Sequence, residues 1–286
     1  MDRIALITDP GHPGLRADDV ALPAAFAARG AEATPVPWGA SIGADEFDAA
    51  VVRTPWDYFL RPAAFLAWVE DLPVEILNPA PIVRWNHDKR YLFELAERGV
   101  AELPETALLA PDERPARLDA ELDRIGADKA VLKPAVSGGA HRTRVVGRGE
   151  AVEWTGADEG VFLVQEHVGA VLTRGEWSLM FFGGRYSHSV RKTAKRGDFR
   201  VQSEHGGEVL VEDAPAALVD AAARVLQGVP TDATLPYARV DLVEADDGRA
   251  LLMELELIEP ELFLRSDPDA PARLVDSVLA QVRSRS

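Results

Sequence analysis

Three groups of residues in this 286-residue chain could do chemistry together. The first is Lys133, at the end of Ala130-Val131-Leu132-Lys133-Pro134, which is followed at once by Ser137-Gly138-Gly139. A lysine ending a buried strand beside a small, flexible loop can gather an ammonium and several backbone N–H groups around a phosphate. The plain alternative is a lysine in solvent, where most strand-end lysines lie. The second group is acidic: Asp241, and then Glu254 and Glu256 in Leu252-Met253-Glu254-Leu255-Glu256-Leu257. Strand side chains alternate, so Glu254 and Glu256 share one face, and in a hairpin Asp241 can face them from the neighbouring strand. Three carboxylates on one face repel unless a cation compensates them. Hard oxygen ligands without His or Cys suit Mg²⁺, which is typically shared with nucleotide phosphates. The alternative is the wet face of an edge hairpin. The third group is basic: Arg191-Lys192, Lys195-Arg196 and Arg200 surround Gly197-Asp198-Phe199. Such a concentration of cations in a chain of net charge −16 suits a polyphosphate or a phosphoryl group in transfer. It would equally suit an exposed loop with ordinary surface charge.

Other chemistries are excluded. There is no Gly-x-x-x-x-Gly-Lys-Ser/Thr loop, and no Gly-x-Gly-x-x-Gly after the first strand, which argues against a P-loop NTPase and an ordinary dinucleotide-binding dehydrogenase. There is no His-Glu-x-x-His and no Gly-x-Ser-x-Gly. The six histidines are scattered without metal-ligand spacing, and the absence of cysteine removes disulfides, thiolates and cysteine–zinc sites. A net charge of −16 opposes binding to nucleic acid or to an anionic membrane surface. No apolar run is long enough to span a bilayer, and no signal peptide precedes Ile4-Ala5-Leu6-Ile7, so a cytoplasmic protein is expected.

The elements that must position these groups alternate strand and helix at first. Strands are expected at Arg3 to Thr8, Ala33 to Pro37, Asp48 to Arg53 and Glu75 to Asn78, with helices at Ala17 to Arg29 and Pro62 to Asp71. That order predicts a parallel sheet covered by helices. An amphipathic helix is expected over Arg84 to Arg98, closed by Gly99, then a strand over Leu103 to Leu109, a helix over Ala116 to Ile125 and strands at 130–134 and 162–166. From Glu176 onward the pattern is antiparallel: Trp177 to Phe182, a Gly183-Gly184 turn and Arg185 to Arg191, then a hairpin of Ala238 to Glu244 with Ala250 to Leu257. Helices are expected at Ala216 to Gln227 and Leu274 to Arg285. The fold class is therefore α/β followed by α+β.

Read in order, these segments resemble the ATP-grasp superfamily, in particular the glutathione-synthetase-like and RimK-like carboxylate–amine ligases. The wording is most similar to the family of the D-cycloserine-forming enzyme, an O-ureidoserine cyclo-ligase. Four blocks carry the likeness: Arg84-Trp85-Asn86-His87-Asp88-Lys89-Arg90-Tyr91-Leu92; Val131-Leu132-Lys133-Pro134 with Ser137-Gly138-Gly139; Val164-Gln165-Glu166-His167-Val168; and Lys195 to Gln202 with His205-Gly206-Gly207 and the acidic trio. The loop Val52-Arg53-Thr54-Pro55-Trp56-Asp57-Tyr58 resembles the cyclo-ligase family specifically.

The resemblance implies an ATP-grasp fold: an N-terminal pre-ATP-grasp α/β domain over 1–83, a small lid subdomain over 84–165, and a C-terminal antiparallel-sheet subdomain over 166–286 that carries the metal. It implies that Lys89 and Lys133 contact ATP phosphates while Ser137, Gly138 and Gly139 close over them. Gln165, Glu166, His167 and Val168 would form the adenine hinge, Glu176 would meet the ribose, and Gln202 would lie near the nucleotide. Asp241, Glu254 and Glu256 would hold one or two Mg²⁺ ions, with Glu256 standing where the superfamily usually has Asn. Arg200, Arg239 and Lys192 would neutralise the transferring phosphoryl group, and Arg53, Trp56 and Asn86 would meet the substrate; Trp56 could also be a packing residue. Glu259, in a segment that departs from the usual shorter loop, reads either as remote from the metal or as a substrate contact. The activity implied is ligation of an amino-acid-like carboxylate to an amine through an acyl phosphate, with release of ADP and phosphate. Intramolecular cyclisation, a small-molecule kinase and a non-catalytic nucleotide-binding protein are the alternatives. The resemblance leaves room for a homodimer.

Overall fold

The first apolar runs pair in parallel. Strand β1 (Asp2–Thr8) lies between β2 (Ala31–Pro37) and β3 (Ala49–Thr54), and the short β4 (Ile76–Leu77) completes a sheet of order β2-β1-β3-β4. Both faces of a parallel sheet must be covered, which is why Ile4-Ala5-Leu6-Ile7 and Ala49-Ala50-Val51-Val52 read as unbroken apolar runs. Ile4 and Leu6 pack with Leu22 and Phe26 of α1 (Leu22–Ala27) and with Leu274, Val275 and Val278 of α8 (Ala270–Arg283). Ala5 and Ile7 face the other way, onto Phe65, Leu66 and Val69 of α2 (Pro62–Glu70). The computed structural model describes residues 1–113, 116–139, 141–150, 152, 160–193 and 207–284.

Two antiparallel sheets follow. The smaller has the order β5-β8-β6-β7, built from β5 (Thr106–Leu109), β6 (Lys129–Pro134), β7 (Arg144–Gly147) and β8 (Phe162–Glu166). Leu118 and Leu122 of α5 (Ala116–Arg124) cover one face through Leu109, Ala130, Leu132, Phe162 and Val164. Alternation leaves Lys133 and Gln165 on the opposite face. The larger sheet has the order β11-β10-β9-β12-β13, from β9 (Glu176–Phe182), β10 (Arg185–Thr193), β11 (Glu208–Val211), β12 (Tyr237–Glu244) and β13 (Ala250–Glu256). α4 (Tyr91–Glu97) and α7 (Ala216–Gln227) pack on its apolar face against Leu179, Phe181, Val240, Leu242 and Leu255. Its other face is divided. Met180, Phe182 and Tyr237 join the core beneath the parallel sheet, whereas Ser178, Arg239, Asp241, Glu254 and Glu256 lie beyond them.

The expected helix from Arg84 to Arg98 is two helices, α3 (Ala80–Asn86) and α4. The break has a local cause. The Asp88 carboxylate accepts the Arg90 N–H at 3.0 Å and competes with the helical pattern, and the Lys89 N–H donates to Ala135 O at 2.8 Å in the smaller sheet's exit loop. Both halves pack on the larger sheet: Ile82, Leu92 and Leu95 share its core. The expected helix from Ala17 shortens to Leu22–Ala27, because Asp18 and Asp19 turn inward to Arg265 and Arg53. The outer edge of β13 is closed by the Glu102 carbonyl, which accepts the Leu252 N–H at 2.7 Å, and otherwise by side chains. Asn86 bonds Leu255 O and Leu257 N, each at 2.8 Å, and the Tyr91 hydroxyl bonds both the N–H and the C=O of Leu255. Among the described residues no helix is long and apolar enough to cross a membrane.

Candidate active site

The acidic trio is a product of strand register. β12 and β13 pair so that Asp241 stands opposite Glu254 and Arg239 opposite Glu256. One carboxylate oxygen from each of Asp241, Glu254 and Glu256 lies within 4.8 Å of the others. Three hard oxygen donors at that separation fit a small divalent cation such as Mg²⁺. β9 supplies a further partner: its register sets Ser178 against Asp241, and the Ser178 hydroxyl donates to Asp241 Oδ1 at 2.6 Å. Sequence reasoning missed Ser178, since nothing in its neighbourhood marks it before the register is known.

Cations approach the trio from the turn between α3 and α4 and from three strands. Lys89, on the turn between α3 and α4, ion-pairs with Glu254 at 3.1 Å and donates to Ser137 O at 2.7 Å. Lys133, at the end of β6, donates to Gln165 Oε1 at 2.7 Å across the strand pair. Burial pulls its ammonium below the usual lysine range, with Glu254 and Glu176 opposing that shift. Lys192 on β10 pairs with Glu176 at 2.6 Å and with Asp241 at 3.3 Å. Arg239 grips Asp241 through Nε at 3.0 Å and Nη2 at 2.9 Å and also contacts Glu256. Thus Glu176, Asp241, Glu254 and Glu256 face Lys89, Lys133, Lys192 and Arg239 in equal number. A bound triphosphate would upset that balance unless further cations came with it.

The carboxyls respond unequally. Burial alone would raise Asp241, but Arg239 and Lys192 outweigh it and hold the group at about 2. Glu256 is pushed up to about 7 by burial and by Glu254 and Asp241, despite Arg239. Glu259, just past the strand, is pushed up to about 8 by burial and by Glu256. Excess negative charge is therefore concentrated on the side of the trio away from Lys192.

The Ser137-Gly138-Gly139 loop leans on the parallel-sheet domain. A Cβ on Gly138 would stand 3.1 Å from the Phe59 ring, and Gly139 has φ +56°, so both positions favour glycine. The rings of Phe59 and His141 lie 5.0 Å apart. Residues 137–139 and residues 58–60 were not linked by any pattern in the sequence.

Several other expected site residues are tied up in the framework. Gln165 is fully buried and braces Lys133 while donating to Thr106 Oγ1 at 3.2 Å. The Glu166 N–H already donates to Glu105 O at 2.8 Å, so of its backbone groups this donor is engaged; His167 and Val168 follow, half-buried. Glu176 is held by Lys192. Arg53 is only 1% exposed, where it pairs with Asp19 at 3.0 Å and donates to Pro260 O at 3.1 Å. Asn86 closes the β13 edge. Arg53 thus pairs through Nε and Nη2 while its buried Nη1 has no hydrogen-bond partner among the described residues, and Asn86 spends both ends of its amide on the backbone at β13. Trp56 is half-buried, with its indole N–H donating to Glu259 O at 3.0 Å and the Arg16 guanidinium 4.9 Å over its ring. Arg200 and Gln202, with Lys195 and Arg196, lie outside the described residues.

Comparison with known proteins bears on the whole chain. The family described as the N-terminal domain of the D-cycloserine synthetase DcsG matches residues 4–78. The cycloserine biosynthesis protein DcsG of Streptomyces lavendulae is 30% identical over 99% of this chain and 100% of its own. A crystal structure of D-cycloserine synthetase DcsG superposes with a TM-score of 0.87 at 30% identity, covering 98% of this chain and 99% of that one. An ATP-grasp RimK-domain protein from Sphaerobacter thermophilus shares the fold at 20% identity and a TM-score of 0.67, covering 97% and 99%. A D-alanine–D-alanine ligase from Bacillus anthracis does so at 17% identity and 0.67, covering 100% of both chains.

Proposed function

The chain belongs to the DcsG family of ATP-grasp enzymes, and from that premise we propose that it is an ATP-dependent carboxylate–amine ligase working through an acyl phosphate. The observation that carries this reading is the convergence of Lys89 and Lys133 on the cleft lined by Asp241, Glu254 and Glu256. A carboxylate is a poor electrophile. Moving the γ-phosphoryl group of ATP onto one of its oxygens makes phosphate the leaving group; an amine then attacks the carbonyl carbon, loses a proton and expels phosphate. Two-step chemistry of this kind needs charge neutralisation and exclusion of water.

In this reading Lys89 and Lys133 hold the phosphates, and the Ser137-Gly138-Gly139 loop covers them. Mg²⁺, bound by Asp241, Glu254 and Glu256, would neutralise the phosphate oxygens. Lys192 and Arg239 keep Asp241 ionised and oriented for that ion, and Arg200 completes the cationic set around the transferred group. Glu166, His167 and Val168 form the adenine side, with Glu176 towards the ribose and Gln202 near the nucleotide. Trp56 lies on the substrate side. The reaction belongs in the cytoplasm, where ATP is supplied.

The likeness to DcsG over the full chain favours the intramolecular version, in which acyl group and amine belong to one amino-acid-like molecule and the product is a ring of the D-cycloserine type. The test is turnover of Mg-ATP with O-ureidoserine and a panel of amino acids and dipeptides, with E254Q as control. Release of ADP and phosphate together with a cyclised product supports cyclisation. A stable phosphorylated product would make the enzyme a kinase, and no turnover across the panel would remove the ligase reading.

A further inference from the structure

The segment that leaves β13 is held in an unusual way. Four successive carbonyls each accept from a different side chain: Ile258 O from the Tyr237 hydroxyl at 2.9 Å, Glu259 O from the Trp56 indole at 3.0 Å, Pro260 O from Arg53 at 3.1 Å, and Glu261 O from Arg239 at 3.2 Å. Two of these donors come from the parallel-sheet domain and two from β12, so the strap is clamped between the N-terminal domain and the metal-binding sheet. The conformational entropy of the segment is removed before any ligand arrives.

What the clamp positions is the Glu259 carboxylate. Its Oε1 lies 3.6 Å from the point where a Cβ on Gly138 would stand, beside the Phe59 ring that meets the same point at 3.1 Å. Among the described residues this carboxylate has no hydrogen bond and no ion pair, whereas Glu254 and Glu256 pair with Lys89 and Arg239. It is also not part of the trio whose oxygens cluster within 4.8 Å, so it is placed for a ligand other than that cation. A half-buried carboxylate with anionic neighbours and a rigid backbone is suited to a compact cation that also donates hydrogen bonds. The Phe59 ring on the same side would favour an ammonium further.

We propose that Glu259 is the specificity-determining anchor for the substrate's ammonium group, so that the enzyme takes an α-amino acid as its zwitterion and rejects the matching acid that lacks the amine. The assignment rests on the ligase reading above and names the substrate class of that site. Glu259 holds the ammonium while the neighbouring carboxylate of the same molecule faces the phosphates under the Ser137-Gly138-Gly139 loop.

The experiment compares O-ureidoserine with its des-amino analogue on the full chain with Mg-ATP. Wild type should prefer the amine-bearing substrate strongly. E259Q should raise KM for O-ureidoserine by about 10- to 100-fold with a smaller change in kcat, and should bring the two substrates to similar kcat/KM. E259D, which keeps the charge but withdraws it by one methylene, should lie between them. Binding of Mg-ATP should not move in either variant and neither should lower the unfolding midpoint, a result that loosening of the strap would not give. An unchanged preference in E259Q, or a loss confined to kcat, overturns the anchor while leaving the ligase intact. Failure of the wild type to turn over either substrate overturns the ligase reading and the anchor with it.

Discussion

Arg53 with Asp19 and Arg239 with Asp241 are both buried arginine–aspartate contacts, yet they do opposite jobs. At the first, one guanidinium meets one carboxylate in a closed interior, Arg53 being 1% and Asp19 0% exposed. Burial raises the Asp19 carboxyl even with Arg53 beside it. At the second, Asp241 receives Arg239, Lys192 and the Ser178 hydroxyl, and its carboxyl is held at about 2. The difference lies in what surrounds each pair. Arg53 and Asp19 join the turn before α1, the end of β3 and the strap after β13, and breaking them would leave a buried charge alone. Arg239 and Asp241 sit where the sheet face opens and two more carboxylates, Glu254 and Glu256, share the cations. A buried ion pair is thus part of the framework when it is closed off inside the fold, and part of a site when further charged groups share it on an opening sheet face.

The largest expected effect tests the framework pair. Arg53→Met should cost about 3–5 kcal/mol of unfolding free energy in equilibrium urea denaturation, because Asp19 would be stranded. The double variant R53M/D19L should recover most of that loss, and a failure to recover would mean that the Arg53–Pro260 bond matters more than the ion pair. Glu254→Gln tests the site. It should lower kcat by about 10²–10³-fold, through loss of a charge that stabilises the transferred group, while moving stability by no more than about 0.5 kcal/mol. Near-normal turnover in E254Q would abolish the contrast between the two clusters. Tyr237→Phe tests the link between the regions, since its hydroxyl lies 2.9 Å from both Val52 O and Ile258 O; a loss of about 1–2 kcal/mol is expected.

The last prediction concerns pH dependence. Glu256 and Glu259 stand at about 7 and about 8 in the fold, against about 4.3 for a free glutamate. A carboxyl raised by folding binds its proton more tightly in the folded state, so it weakens the fold as pH rises from about 4 to about 8. Asp241, lowered to about 2, has the opposite sign: its contribution is complete above about pH 4 and is lost as pH falls towards 2. Without metal or nucleotide, the thermal midpoint should therefore decline between pH 5 and 8. Mg²⁺ with a non-hydrolysable ATP analogue should flatten that decline. A midpoint that rises over the same range would contradict the excess of acid at the site.

Much of the layout was legible from residue order. Apolar runs of four in β1 and β3, the period of α7 and the Gly183-Gly184 turn each follow from short-range preferences, and the observed elements agree within a few residues. The alternation that puts Glu254 and Glu256 on one face is equally local. The helix over Arg84 to Arg98 was misread because its apolar periodicity continues through the break, while the cause of the break, Ala135 O, lies in another sheet.

The amino-acid sequence by itself determined which strands could be buried, which faces they would show and which side chains were available to carry charge. Only the tertiary structure decided which of those charges remain free for a ligand. Arg53 finds Asp19 at a separation of 34 residues and Asn86 finds Leu255 at 169, and no local preference encodes such pairings. Whether a charged group binds substrate or braces the fold depends on the partners that packing brings within about 3 Å, and those are set by the folding of the whole chain.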